Sequence, residues 1–326
     1  MTYWRGFSPK KSLRSTIASL IALLVLSTGG CPLSAAEFTA PEDTPKTGTA
    51  ELPNQPNISQ NLPLKRLVVL APNLVELIFS LGGGAQIVGT TDHADYPAAA
   101  RTIPRVGNYA AIQLESLVAL QPDLVLVWDT GTPAADIQKM QQLGLKVLHF
   151  QTHQLEDIAS QLVQLGELVQ QQAKAAELSA GFLQQLKNLR QQYQAQPLIS
   201  VFYELWDNPL STINKDAWPS QHLRVCGAQN IFDQASAAYP QVGLEQVIAA
   251  DPALIIQPTS ENEPRTLVQW QRWPELTAAK NNQIIQVDSD LLHRATLRTL
   301  DGVAILCRKI ANSRQFYAQV PATISR

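Results

Sequence analysis

The first clear pattern along the chain is Leu67-Val68-Val69-Leu70, an apolar and partly β-branched run that reads as a buried parallel strand. The spacing then changes. Leu74, Leu77, Ile78 and Leu81 recur at intervals of three and four, which predicts a helix with Asn73 as its cap. Gly82-Gly83-Gly84 ends that helix, and Ile87-Val88-Gly89 opens a second strand. One piece of this alternation occurs twice. Leu114-Glu115-Ser116-Leu117-Val118-Ala119-Leu120-Gln121-Pro122-Asp123-Leu124-Val125-Leu126 returns as Leu244-Glu245-Gln246-Val247-Ile248-Ala249-Ala250-Asp251-Pro252-Ala253-Leu254-Ile255-Ile256. Each copy reads as a helix, a break at proline and a buried strand. Upstream, Pro104-Arg105-Val106-Gly107 echoes Pro240-Gln241-Val242-Gly243. A gapless repeat of this kind predicts two similar α/β lobes.

Between the repeats the chain is polar and rich in glutamine. Ile158, Leu162, Leu165 and Val169 start an apolar stripe, and Leu178, Phe182, Leu186, Leu189 and Tyr193 continue it at helical spacing. Gly166 and the glutamines after it predict a break, hence two helices. The second, over roughly residues 172–194, is expected to be about 33 Å long. The expected fold is therefore α/β: two Rossmann-like lobes joined by one long backbone helix, with a ligand cleft between them. The boundaries are an N-terminal lobe over 65–170, a connecting helix over 171–195 and a C-terminal lobe over 196–326. A single stiff connector predicts a small rocking motion rather than a wide hinge.

The N-terminus changes the compartment. Arg5, Lys10, Lys11 and Arg14 precede an apolar stretch from Thr16 to Leu26, too short to span a bilayer comfortably. Residues 1–36 read as an export signal, with two processing readings open. Cleavage after Ala36 uses the small residues Ser34-Ala35-Ala36, while Gly29-Gly30-Cys31 resembles a lipoprotein box that makes Cys31 the lipid anchor. A third reading is an uncleaved signal anchor. Residues 37–64 carry five prolines among polar residues and are expected to be a disordered tether. Removal of the signal takes away four cations and no acids, which moves the formal charge from −2 to −6. This argues against a partner bound through phosphate neutralisation, so no nucleic acid is expected. The expected location is the periplasm. Cys226 and Cys307 are then an even pair in an oxidising compartment, where a disulfide is the default and two buried free thiols are the alternative.

Catalytic signatures are lacking. The chain has no G-x-S-x-G, H-E-x-x-H or phosphate-cradling P-loop, so neither catalytic nor metal-ligating residues are expected. Large side chains stand instead where loops should be: Tyr109, Trp128, Trp206 and Tyr239. Loops beyond strand ends form the ligand crevice of α/β sheets, and aromatic residues there suit a large, flat, partly apolar ligand. Asp290 and Arg294 are four apart, so they either pair on a helix surface or offer polar anchors to the ligand. Glu115 and Glu245 hold equivalent places near helix starts. The helix dipole alone favours acids there, but one exposed acid per lobe also matches a two-fold partner bearing cations.

At these residues the sequence resembles the periplasmic cobalamin-binding proteins of ABC importers, within the helical-backbone class of solute-binding proteins. The resemblance covers about residues 65–312. It is carried by Asp95-Tyr96-Pro97, by Leu114-Glu115 with Pro122-Asp123-Leu124, by Val201-Phe202-Tyr203 through Asn208-Pro209 and by Arg224-Val225-Cys226-Gly227. Asn230-Ile231-Phe232, Tyr239-Pro240-Gln241-Val242 with Glu245, Asp290-Leu291-Leu292-His293-Arg294 and Leu300-Asp301-Gly302 with Cys307 complete it. It implies a non-catalytic monomer whose ligand is a corrinoid, with no catalytic cofactor. It also implies that Tyr96, Tyr109, Trp128, Trp206, Tyr239, Asp290 and Arg294 contact that ligand. Glu115 and Glu245 then dock onto a dimeric permease of the inner membrane, and Cys226 pairs with Cys307. His93 stands where the family pattern has tyrosine, and is either an approach to the corrin metal or a solvated loop histidine. Haem or a ferric siderophore is the alternative ligand. A metal-cofactor enzyme on a two-lobed scaffold is the alternative of another class, disfavoured by the export signal and the expected disulfide.

Overall fold

The computed structural model describes residues 65–260 and 266–319. The export signal, Cys31 and the tether expected over 1–64 lie outside the described residues.

The apolar run that opens the pattern is β1 (Leu67–Val69), buried on both faces. It is followed by α1 (Pro72–Ser80), β2 (Ile87–Thr90), α2 (Leu114–Ala119), β3 (Leu124–Trp128), α3 (Ala134–Gln142), β4 (Val147–Phe150) and α4 (Glu156–Leu168). The long connector is α5 (Gln172–Tyr193). The second lobe continues with β5 (Ile199–Tyr203), the short pair β6 (Trp206–Asp207) and β7 (Leu210–Ser211), α6 (Trp218–Val225), β8 (Ala228–Asn230), α7 (Leu244–Ala250) and β9 (Leu254–Thr259). It ends with α8 (Thr277–Lys280), β10 (Ile284–Asp288), α9 (Ser289–Leu292) and α10 (Thr299–Gln319). None of the described helices is long and apolar enough to cross a membrane.

The first sheet has the order β2-β1-β3-β4 and the second β10-β9-β5-β8, all neighbours parallel. Read from the other edge, the second sheet repeats the first. The duplicated segment explains this: Leu124 pairs with Leu67 in one lobe, and Leu254 with Val201 in the other. The expected fold of two α/β lobes and a bridging helix is thus present. In this strand order, ligands bind beyond the carboxyl ends of the strands, where neighbouring connections run in opposite directions.

Two local expectations are revised. Asn73 does not cap α1. Pro72 supplies the first helical residue, its fixed φ suiting that position, and Asn73 is buried inside the first turn. The expected break between two helices is present, but it falls in the glutamine run and not at Gly166. Gly166 lies within α4, where a Cβ would come 2.2 Å from the Ala175 Cβ of α5, so glycine permits the close approach of the two helices. The chain turns at Val169–Gln171, with Gln170 in the left-handed region.

One apolar core runs through both lobes. It joins Leu67, Leu74 and Leu162 of the first lobe to Phe182 and Leu186 of α5, and to Val201, Leu223, Leu300 and Ile310 of the second. The Cys226–Cys307 disulfide lies in this core and ties the end of α6 to α10. In the chain-entropy account, closing a loop of this length stabilises the fold by about 4 kcal/mol.

A polar clamp adds to the core. Glu76 on α1 is almost fully buried. It accepts hydrogen bonds from Arg298 Nε (3.0 Å) and Nη2 (2.8 Å), and from Arg294 Nη1 (3.2 Å). Arg294 also reaches Asp95 at 2.6 Å and Asp290 at 3.2 Å. Both arginines belong to the second lobe; Glu76 and Asp95 belong to the first. Burial tends to raise the Asp95 carboxyl, but the hydrogen bond and charge of Arg294 outweigh it and hold the carboxyl below its ordinary range. Burial tends to lower Arg294, but the hydrogen bond it donates to Asp95, with the charges of Asp95, Asp290 and Glu76, raises it instead.

His222 on α6 is fully buried, and neither ring nitrogen has a hydrogen-bond partner among the described residues. Burial, then the nearby His293 and Arg224, lowers it to about 3, so the ring is neutral in the folded protein.

The buried Glu76 carboxylate and the buried neutral His222 each carry a testable consequence. Glu76→Gln keeps the shape but leaves two guanidinium groups underpaired across the lobes, and should cost about 3 kcal/mol. An unchanged urea midpoint would contradict the clamp. For His222 the folded value lies below the unfolded one, so the unfolded chain binds more protons between the two. Stability should be complete above pH ~6.5 and fall as the pH drops toward 3, by up to about 5 kcal/mol. His222→Leu should flatten that slope in chemical denaturation at stepped pH; an equally steep slope would show that other groups carry it.

Candidate ligand-binding cleft

Trp128 is the last residue of β3, and Leu205 stands just past β5. These strand ends open into one cavity of about 540 Å³. Trp128, Thr130, Thr152 and His153 line it from the first lobe; Leu205, Asp216, Trp218, Pro219, Tyr239, His293 and Ala295 line it from the second. The lining is mainly aromatic and apolar with a few polar groups, the usual make-up of a small-molecule site.

The aromatic walls are held by local hydrogen bonds. Trp218 opens α6 just ahead of Pro219, and its indole N–H donates to the Leu292 carbonyl at 2.9 Å. Its ring meets His222 edge to face. Tyr239 accepts a long hydrogen bond from the Trp218 backbone N–H at 3.4 Å. Tyr203 and His293 are joined through the phenol and Nε2 at 2.9 Å. Trp128 packs over Gly131, where a Cβ would sit 2.8 Å from the ring, and its indole nitrogen is buried without a partner among the described residues.

The segment after β4 forms the rim on the first-lobe side. His153 N–H donates to Asp157 Oδ2 at 2.7 Å, and the His153 carbonyl accepts from Gln221 Nε2 on α6 at 2.7 Å. Gln221 Oε1 in turn accepts from Leu155 N–H at 2.9 Å, so α6 of one lobe straps this loop of the other. Asp129, one residue past Trp128, accepts from His149 Nδ1 at 2.5 Å and from Gln151 Nε2 at 2.6 Å. Burial tends to raise the Asp129 carboxyl, while these two hydrogen bonds and the charge of His149 bring it below its ordinary range.

Of the residues expected at the ligand, Trp128 and Tyr239 line this cavity together. Asp290, Arg294 and Tyr96 gather around a smaller hollow of about 60 Å³ with Asp95, Arg101 and Arg298. There Asp290 and Arg294 form the ion pair that their spacing allows, and the Arg298 guanidinium stacks 3.6 Å from the Tyr96 ring centre. Trp206, on the β6–β7 pair, is half exposed, and Tyr109 is 76 % exposed; neither borders the main cavity. His93 is exposed in a loop with a left-handed backbone. Glu115 and Glu245 are both exposed in the first turns of α2 and α7, at equivalent places in the two lobes.

Sequence reasoning missed Trp218, His153 and His293 as lining residues. Trp218 carried a usable signal, since a tryptophan directly before proline at a helix start stands at a loop–helix junction. His149 and His153 are four apart, but the segment is a strand end and a loop, so the spacing does not put the rings on one helix face. Among the described residues, no group of three or more His, Cys, Asp or Glu side chains is placed to hold a metal ion.

A model of the periplasmic binding protein family matches residues 67–291. The vitamin B12-binding protein of Vibrio vulnificus strain YJ016 is 36 % identical over 258 residues, covering 78 % of this chain and 93 % of that protein. The protein of the same name from Pectobacterium atrosepticum is 30 % identical over 253 residues, covering 76 % and 88 %. The crystal structure of the periplasmic vitamin B12 binding protein of Vibrio cholerae superposes with a TM-score of 0.71 at 33 % identity, over 77 % of this chain and 98 % of that one. The periplasmic haem binding protein of Vibrio cholerae shares the fold alone, with a TM-score of 0.66 at 19 % identity over 76 % and 98 %. The chain therefore belongs to the periplasmic binding protein family, whose model spans both lobes and the helix between them.

Proposed function

We propose that this protein captures cobalamin or a related corrinoid in the inter-lobe cleft and delivers it to an ABC permease. The observation that carries the reading is the cleft itself, with Trp128 from one lobe facing Trp218 and Tyr239 from the other. Aromatic rings on both sides suit the flat apolar face of a macrocycle, and the polar rim suits its peripheral amides. The relatives of at least 30 % identity described above are named for vitamin B12, whereas the haem binder supports only the fold.

Three finer assignments belong to this proposal. Tyr96, Asp290 and Arg294 border the ligand near the small hollow at the clamp, and Trp206, Tyr109 and His93 lie at its outer edge. Glu115 and Glu245 meet one cation on each half of a dimeric permease. The working location is the periplasm, reached through the N-terminal export signal, with Cys31 as the lipid anchor if the signal is of the lipoprotein kind. The family is one of solute carriers, and the cleft needs no catalytic group for this task.

Titration calorimetry with cyanocobalamin, haemin and a ferric siderophore should show tight one-to-one binding of the corrinoid alone. Heat from haemin with none from cyanocobalamin would overturn the ligand. For docking, the doubly reversed variant Glu115→Lys with Glu245→Lys should bind cyanocobalamin within about twofold of the parent but fail to support uptake through the permease. Lost cyanocobalamin binding in that variant would give the two glutamates a structural role instead.

A further inference from the structure

His153 is held in a way that the capture of a ligand by aromatic walls alone does not require. The Asp129 carboxylate only accepts hydrogen bonds, so the Gln151 group 2.6 Å from it is the amide NH₂. That fixes the amide orientation and turns Gln151 Oε1 toward His153 Nε2, 3.0 Å away. A carbonyl oxygen also only accepts, so Nε2 carries the hydrogen. The neutral ring is therefore the tautomer whose lone pair is on Nδ1. Nothing among the described residues pairs with Nδ1. The main chain on either side of the ring is pinned by Asp157 of α4 and Gln221 of α6, and the residue lines the cleft.

A histidine that donates one ring N–H to an oriented carbonyl and presents the other nitrogen is the arrangement found at metal-ligating histidines. The described residues offer no cage of three ligands, so a free metal ion has nothing to hold it here. A metal whose four equatorial positions are already filled by a macrocycle needs only one more donor. We propose that His153 Nδ1 is an axial ligand to the metal of a bound corrinoid, acting when that axial position carries exchangeable water. The inference rests on the corrinoid reading above. The step is a ligand exchange: the cobalt–water bond breaks, water leaves, and a cobalt–nitrogen bond forms with no electron transferred. Its consequence is specificity. Corrinoids that lack their own nucleotide base gain a donor from the protein, whereas cyanocobalamin, with both axial positions taken, gains none.

The test uses diaquocobinamide, followed by calorimetry for binding and by visible absorption for coordination. Bound to the parent protein, its bands should shift toward those of a nitrogen-ligated corrinoid. His153→Ala should still bind it, about tenfold more weakly and without the shift. His149→Ala, which leaves the His153 ring in place, should retain the shift. With the reduced cobalt(II) form, electron paramagnetic resonance should show nitrogen splitting in the parent and lose it in His153→Ala. Binding without a shift in the parent, or a shift that survives His153→Ala, overturns the inference and leaves the corrinoid reading standing, with Nδ1 reduced to a hydrogen-bond acceptor. Failure to bind both diaquocobinamide and cyanocobalamin removes the corrinoid reading, and this inference with it.

Discussion

Glu76 sits where the two lobes meet, with the guanidinium groups of Arg294 and Arg298 against its carboxylate. A buried carboxylate is costly unless its lone pairs are used, and here one arginine engages both oxygens while the other adds a third contact. Since the donors and the acceptor come from different lobes, the same bonds that solvate the charge fix the lobes against each other. Asp95 and Asp290 complete the charge balance around Arg294, and Tyr96 covers Arg298. The spacing of the cleft depends on this cluster at one side and on the strap from Gln221 to the His153 loop at another.

Between these ties the apolar core is continuous, passing from the first sheet through α5 to α6 and α10. A core shared in this way resists a wide hinge, because opening would expose Phe182, Leu186 and their neighbours to water. The strand order places the open carboxyl ends of both sheets on the same cavity, so the rigid parts form the frame and the loops form the site. The disulfide acts in the same direction by fixing α6, which carries Trp218, to α10.

The lobe pair was legible because a whole helix–strand unit is written twice, and the bridging helix because its apolar stripe keeps helical spacing from Leu178 to Tyr193. Trp128 and Tyr239 were legible because each follows or precedes a recognisable element edge. The rest depended on long-range packing. Gly166 reads as a breaker in one dimension and proves to be a contact point once α5 is folded back on α4. Arg294 reads as a ligand anchor or a surface pair, and its bonds to Glu76 and Asp95 span 218 and 199 residues, beyond any local pattern. His153 has no motif of its own, since its tautomer is set by Gln151 and, through it, by Asp129.

Capture on a two-lobed frame with a shared core leaves the two lobes nearly fixed relative to each other. Ser116 on α2 and Gln246 on α7 are exposed, occupy equivalent places in the two lobes and suit a pair of spin labels. Pulsed electron paramagnetic resonance of that pair, with and without saturating cyanocobalamin, reads the lobe separation directly. A nearly rigid frame gives one narrow distance that shifts by no more than about 2 Å on binding. Two separated populations, or a closure of about 10 Å, would show a hinge and contradict it.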